Sequence, residues 1–285
     1  MAVGPPVPTR FAFLPGEEVE RGFIRVLGEI AIEGRRLAPS SHGTNAESVH
    51  STRVLIKRLR ALLWFASPAF SASALERPKS DLRKASHLLA AERELAVMRS
   101  HLEALARKTS KSADRKVLLR LADAQDNHAD NSAKPEQLLR QAAAIVLTVI
   151  KVLKQQATGN SHWPSNSERL AKAFRASEKS GKRALRGEHA EQFHDWRKKA
   201  KRLLYQLQLA PGIPDERMVQ TTIWVDQLQD ELGDYHDAVV AQNRLRKFSP
   251  DEVSKRLVRQ SVHLLEKRKR RLRKQVGKIA RHIRW

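Results

Sequence analysis

Cysteine is absent from the 285 residues, which removes disulfides, Cys-based zinc sites and thiol catalysis and permits a reducing compartment. Aromatic residues are scarce at 5%, with 2 tyrosines, so the ring platforms on which single-stranded nucleic acids usually stack are missing. Long apolar runs are missing too. The most apolar segment, AAAIVLTVIKVL at 142–153, contains Lys151 and is bounded by Arg140 and Lys154, too short and too charged to span a bilayer. The opening MAVGPPVPTRFAFLPG holds no stretch resembling a signal peptide. The expectation is a soluble, cytoplasmic chain with no membrane span. Catalytic signatures are equally lacking: there is no GxxxxGK[ST] loop, no HExxH and no GxSxG. No catalytic residue, metal ligand or cofactor is assigned, and the chain is expected not to be an enzyme.

What the sequence has in excess is positive charge. Its 54 Lys and Arg against 31 Asp and Glu give a formal charge of +23, and self-repulsion of that size strains a compact state unless a polyanion offsets it. At 41% hydrophobic residues the chain can still bury a core. Apolar residues recur at helical spacing, and no segment alternates at period two, so the predicted fold is all-α. Breakers fall at Pro39–Gly43, Ser67–Pro78, Asp126–Pro135, Thr158–Pro164, Pro211–Pro214 and Ser249–Pro250, dividing the chain into about eight to ten helices. The sharpest break, ATGNSHWPSNS at 157–167, splits the chain near residue 160. The expected organisation is a flexible segment 1–16, a first helical bundle over 17–157 and a second over 165–285.

The two halves look like copies. HSTRVLIKRL at 50–59 and HDWRKKAKRL at 194–203 share the pattern H-x-x-R-x-x-x-K-R-L at an offset of 144 residues. Downstream, LAAEREL at 89–95 lies opposite LGDYHDA at 232–238 at an offset of 143, each read as a small-residue kink with acidic neighbours. Two matches in the same order at nearly the same distance argue for an ancestral duplication and a pseudo-twofold arrangement.

On a helix advancing about 100° per residue, His50, Arg53, Lys57 and Arg60 fall in one arc, while Leu55, Ile56, Leu59, Leu62 and Leu63 line the other side. In the second copy His194, Arg197, Lys198, Lys201 and Tyr205 are cationic-side residues, and Trp196, Ala200, Leu203 and Leu207 form the apolar side. A solvated basic face is the ordinary explanation of such a stripe. Surface helices, however, usually set Glu against Lys at i to i+4 for ~0.2–0.5 kcal/mol per pair. From Val49 to Phe65 there is no acid, and the second copy offers only Asp195. Like charges spaced this way and repeated in both halves make sense around a bound anion: Arg brings a planar fork for phosphate oxygens, Lys a point charge, His a tunable donor.

This pattern, H-x-x-R-x-x-x-K-R-L followed by an L-Q-D-x-L-G-x-x-x-D-A segment, twice in a basic helical chain, resembles the CHAD family, the conserved histidine α-helical domain. The resemblance runs from about Glu17 to the end and is stronger in the second half; the first departs at LAAERELAVM, where Arg93-Glu94 replaces the usual small-Arg-Asp arrangement. It implies two antiparallel helical bundles related by pseudo-twofold symmetry around a basic central groove, binding to inorganic polyphosphate, and association with polyphosphate granules. Carried over, His50, Arg53, Lys57, Arg58 and Arg60, with His194, Arg197, Lys198, Lys201, Arg202 and Tyr205, line the binding surface. Arg175, Lys182 and Arg183, with Lys179 beside them, extend it.

Two further stretches carry charge. In LQDELGDYHDA at 228–238, Asp230, Asp234, His236 and Asp237 are conceivable metal ligands, though carboxylates pairing with the nearby cations and setting their geometry is the preferred reading. From Ser254 to Trp285, thirteen Lys or Arg accompany Glu266 alone, and Leu257, Leu264, Leu265, Leu272, Val276 and Ile279 fit one apolar stripe of a docked helix. The stripes lack the carboxylates that hold Mg²⁺ in phosphoryl-transfer enzymes. The E-x-E-x-K strand motif of the triphosphate-tunnel enzymes that often partner this family is also absent, since Gly22 follows Glu18-x-Glu20 at the Lys position. Binding without turnover is the expectation, with inorganic polyphosphate the first partner. Non-specific duplex DNA binding is the alternative, because backbone contacts alone suffice for it.

Overall fold

The computed structural model describes residues 10–38, 46–108, 112–127, 135–158, 162–187, 189–209, 216–247 and 255–283. The first nine residues of the segment expected to be flexible lie outside that set. Among the described residues there are ten α-helices and no strand: α1 (Val19–Leu37), α2 (Ala46–Ala66), α3 (Ala72–Leu88), α4 (Ala90–Lys108), α5 (Ser112–Asn127), α6 (Pro135–Ala157), α7 (Asn166–Arg186), α8 (Ala190–Leu209), α9 (Glu216–Leu245) and α10 (Lys255–Ala280).

Local chemistry explains where several of them start. Ser71 Oγ accepts from the Ala74 amide at 3.2 Å and caps α3, and Ser165 Oγ accepts from Glu168 at 3.2 Å ahead of α7, each satisfying an amide the helix leaves unbonded. The break expected over Ser67–Pro78 is shorter than predicted. It consists of a 3-10 turn, Ser67–Ala69, and the Ser71 cap, and Pro78 lies inside α3 with its ring buried. Gly233 likewise does not interrupt its helix, since α9 runs 30 residues through it.

Contacts group the chain into two units, residues 1–91, 133–175 and 202–222 in the first and 92–132, 176–201 and 223–285 in the second. Each draws on both sides of residue 160. In the first unit, Phe23, Leu27 and Ile30 of α1, Leu55, Ile56, Leu59 and Leu62 of α2, Leu75 and Leu82 of α3, and Leu139, Val146, Ile150 and Leu153 of α6 form one core. The apolar stretch 142–153 thus supplies the buried face of α6, with Val146, Val149, Ile150 and Leu153 turned inward, and each such side chain contributes about 1.5–3 kcal/mol by leaving water. Residues ahead of α1 are seated on this core. Phe13 is 3% exposed and its amide donates to the Leu209 carbonyl at 3.0 Å. A Cβ on Gly22 would stand 2.3 Å from the Phe13 ring, so only glycine admits that approach. Arg25 bridges Glu17 and Glu29 and donates to the Ala12 carbonyl at 2.6 Å.

The second unit has two clusters. Met98, Leu102, Leu105 and Leu118 pack with Ala238, Leu245, Leu257 and Leu265; Phe193, Trp196, Leu228, Leu232 and Tyr235 pack with Leu272 and Val276. The apolar stripe predicted for the C-terminal helix is therefore what docks α10. Trp196, 2% exposed, lies over Gly181, where an added Cβ would meet its ring at 2.7 Å. Among the described residues no helix is long and apolar enough to cross a membrane.

Candidate functional site

The cations of α2 divide as the periodicity predicts. Leu55, Ile56, Leu59, Leu62 and Leu63 are at most 3% exposed, and the opposite side carries His50 and Arg60, exposed, with Arg53, Lys57 and Arg58 half-buried. Arg53 has a structural task as well, for its Nη1 donates to the Leu89 carbonyl, the C-cap of α3, where a helix leaves unpaired acceptors and a partial negative charge.

The first unit also contains the last turns of α8, seated on α2 by Gln206 Nε2, which donates to the Ala61 carbonyl at 3.0 Å. This brings Arg202 and Tyr205 to the α2 cations. The Arg202 guanidinium lies 4.9 Å from the Trp64 ring centroid, and Tyr205, 9% exposed, interacts electrostatically with Arg58. A residue that the sequence analysis did not single out completes the group. Arg169 of α7, 6% exposed, stacks 3.8 Å from the Trp64 centroid, and its Nη2 donates to the Trp64 carbonyl and to Ser67 Oγ. The available signal was register: Arg169 falls on the face of α7 that buries Leu170, Ala173 and Phe174.

Burial pushes the guanidiniums of Arg58 and Arg169 down, with Arg202 adding to the effect at Arg169. Arg60 shifts the same way through lost hydration and Arg83, but its side chain keeps an exposed surface, so the weight rests on the other two. Neither Arg58 nor Arg169 has a carboxylate partner among the described residues, which is costly for a charge removed from water. Arg58 has instead the Phe11 ring, 5.1 Å away.

In the second unit the first turns of α8 meet α9. The His194 and His236 rings stack at 4.8 Å, His236 Nδ1 lies 3.2 Å from Asp237 Oδ1, and Arg197 passes over Gly233, where an added Cβ would stand 3.9 Å from its Nε. Burial pushes the His194 imidazole down, and Lys198, His236 and Arg197 push further against weak support from Asp195. Lys201 donates to Gln229 Oε1 at 2.9 Å. On α7 the predicted extension is partly neutralised: Lys182 pairs with Glu178 at 2.6 Å, and Arg183 is among the groups that hold Asp195 below the usual carboxylate range, after Lys199 and Ser180. Arg175 is exposed, with no ion pair among the described residues.

The acidic residues of 228–238 are dispersed. Asp234 pairs with Arg268 of α10 at 2.7 Å, Asp230 accepts from Gln229, and among the described residues no three potential ligands converge. The cation that Asp234 meets is thus on α10 and not on a stripe. The Arg93-Glu94 side chains lie outside what the structure describes.

The chain is an all-helical scaffold whose α2 and α8 carry acid-poor cationic faces, with guanidiniums partly withdrawn from water. Residues 36–246 match the CHAD domain, and the chain belongs to the CHAD family. Its fold is similar to that of the CHAD domain from the plant Ricinus communis, with a TM-score of 0.69 at 18% identity, over 99% of this chain and 97% of that one. No curated protein matches the sequence.

Proposed function

We propose that this protein binds inorganic polyphosphate through the cations of α2 and α8 without turning it over, and so associates with polyphosphate granules in the cytoplasm. The observation that carries this reading is Arg58 of α2 with Arg169 of the neighbouring α7, charges that burial deprives of water and that meet no carboxylate among the described residues. A phosphate oxygen supplies the missing counter-charge, and Arg offers it a planar fork. The companion set in the second unit supports it: burial first, and then Lys198, His236 and Arg197, disfavour the charged form of His194, a balance that a nearby anion would reverse. Duplex DNA is the second reading, favoured by the outer face of α10, where the Arg270 side chain is 78% exposed and could meet a phosphate backbone.

Direct competition separates them. A flexible chain can follow the contours of α2 and α8, whereas a duplex with a persistence length of about 50 nm must lie on an outer face. Long-chain polyphosphate should displace duplex DNA at matched phosphate concentration. Arg58→Ala and Lys198→Ala should each weaken polyphosphate binding roughly 10- to 150-fold, the equivalent of one charge-assisted hydrogen bond at ~1.5–3 kcal/mol. Arg270→Ala with Lys274→Ala should cost polyphosphate little. DNA winning the competition, or the α10 pair costing as much as the α2 and α8 changes, would make the protein a non-specific cationic binder.

A further inference from the structure

A cavity of about 230 Å³ opens between α4 and α10 and shares no residue with the stripes. Its lining is mixed: Ala104 and Leu105 of α4 with Leu264 and Leu265 of α10 are apolar, and Lys267, Arg268 and Arg271 of α10 are cationic, with His101 adjoining. Among the described residues no carboxylate lines it, although Asp234 pairs with Arg268 and Glu231 interacts electrostatically with Arg271 and Arg268 from outside the lining. The arrangement follows from helical register: Leu264, Arg268 and Arg271 stand at i, i+4 and i+7 and so share one face. The apolar part of the lining is anchored, because Leu105 and Leu265 belong to the core at 5% and 3% exposure. Arg268 is aimed as well, its Nη2 held by Asp234 Oδ2 at 2.7 Å.

The apolar and the cationic parts of the lining ask for different things, and a ligand that uses the whole cleft has to satisfy both. An inorganic phosphate chain meets the three cations but gains nothing from four apolar side chains. An uncharged apolar molecule meets the apolar side chains but gains nothing from the three cations. The volume, several times the about 30 Å³ that a water occupies in the liquid, has room for a ring system and not only for a lone ion. Pockets of this make-up, an apolar lining with a few convergent polar groups, are the usual form of small-molecule sites, and guanidiniums both fork phosphate oxygens and stack on flat rings. We propose that the α4/α10 cleft binds a phosphate ester carrying a planar apolar body, of the nucleotide class, with the body on the leucines and the phosphates on Lys267, Arg268 and Arg271. This site does not depend on polyphosphate binding elsewhere in the chain.

Calorimetric titration of the full chain with ADP, beside pyrophosphate and adenosine as its two halves, tests the idea. ADP should bind at least tenfold more tightly than either half. Ala104→Trp, which fills the cleft, should abolish ADP binding and leave polyphosphate affinity unchanged. Arg271→Ala, at an exposed position, should weaken ADP at least tenfold with no loss of melting temperature, and it decides alone if Ala104→Trp fails to fold. Pyrophosphate binding as well as ADP, no saturable ADP binding, displacement of bound ADP by long-chain polyphosphate, or indifference of ADP to the folded variants overturns the proposal. Loss of polyphosphate binding with ADP behaving as expected would instead remove only the function proposed above.

Discussion

Arg58 and Arg169 hold positive charge in surroundings that have withdrawn water from it, and neither receives a carboxylate in return among the described residues. Such a charge is retained at a cost to the empty fold. Arg58→Met, which keeps the length of the side chain and removes the charge, is therefore expected to leave the melting temperature unchanged or raise it while weakening polyphosphate binding at least tenfold, measured by thermal melting and by titration. A loss of both would mean that Arg58 is chiefly a packing residue over Phe11. His194 gives a pH test with a definite sign. Its folded-state pKa lies below the ordinary 6.5, by burial and by Lys198, His236 and Arg197, with Asp195 opposing. The neutral ring therefore supports the fold above that value, and the support is lost as pH falls through the lower folded pKa. A bound polyanion reverses the balance by favouring imidazolium, so polyphosphate affinity should be flat above neutrality and rise on acidification below about 6.5, while the melting temperature of the free protein falls. His194→Gln should flatten the affinity profile; an affinity that instead declines steadily from neutrality to pH 9 would assign the titration elsewhere. The sequence disclosed the α2 division between Leu55 or Leu59 and Lys57 or Arg58 because side-chain period alone decides it. It did not disclose Arg169, whose role comes from Trp64, 105 residues away, nor the near-complete burial of Tyr205, which depends on the α8 end packing on α2 through Gln206.

Helices were the most legible elements, since apolar spacing and breakers fix them locally. The predicted seam of α10 is the seam that packs, Leu257, Leu265, Leu272 and Val276 being buried. Where reading failed, a local rule met a tertiary contact. Pro78 reads as a breaker, yet its buried ring sits in α3: the backbone hydrogen bond it forgoes is offset by apolar burial. Gly233 reads as a break, yet α9 continues through it, with Arg197 Nε 3.9 Å from where a Cβ would stand. Gly181 is the sharpest case of a glycine kept for close approach, because Trp196 lies where its Cβ would be, 2.7 Å from the ring carbon. Gly181→Ala raises helix propensity by ~1 kcal/mol, but forcing the fully buried indole aside costs typically 1–3 kcal/mol. The expected net result is a lower urea midpoint at unchanged slope, and a midpoint that rises would show that Trp196 can shift freely. Because the cations of α8 share this helix with Trp196, a displaced indole should also weaken polyphosphate binding, whereas Ser165→Ala, which removes a cap ahead of α7 at about 1 kcal/mol, should lower stability and leave affinity intact.

At the scale of the whole molecule the governing quantity is a formal charge of +23. Self-repulsion on that scale acts against every compact state, and the internal ion pairs do little to relieve it. Many tie neighbouring residues on one helix, such as Lys182 with Glu178 or Lys199 with Asp195, and exposed pairs of that kind contribute about 0–1 kcal/mol. A ligand that neutralises the cationic faces of the folded chain should therefore stabilise it by mass action, by about 2.7 kcal/mol at a hundredfold excess over its dissociation constant. Multivalency sets the polymer apart from its monomer: once one phosphate is held, the next binds at the effective concentration fixed by the chain joining them. Long-chain polyphosphate should accordingly raise the melting temperature far more than orthophosphate at equal total phosphate. The difference should shrink as salt is raised, because counterion screening over a Debye length of about 8 Å at 0.15 M weakens exposed charges first. It should shrink further in Arg58→Ala and Lys198→Ala, but not in Arg270→Ala with Lys274→Ala. Equal stabilisation by the two phosphates across that salt range would reduce the effect to general ionic screening and leave the α2 and α8 cations without a specific ligand.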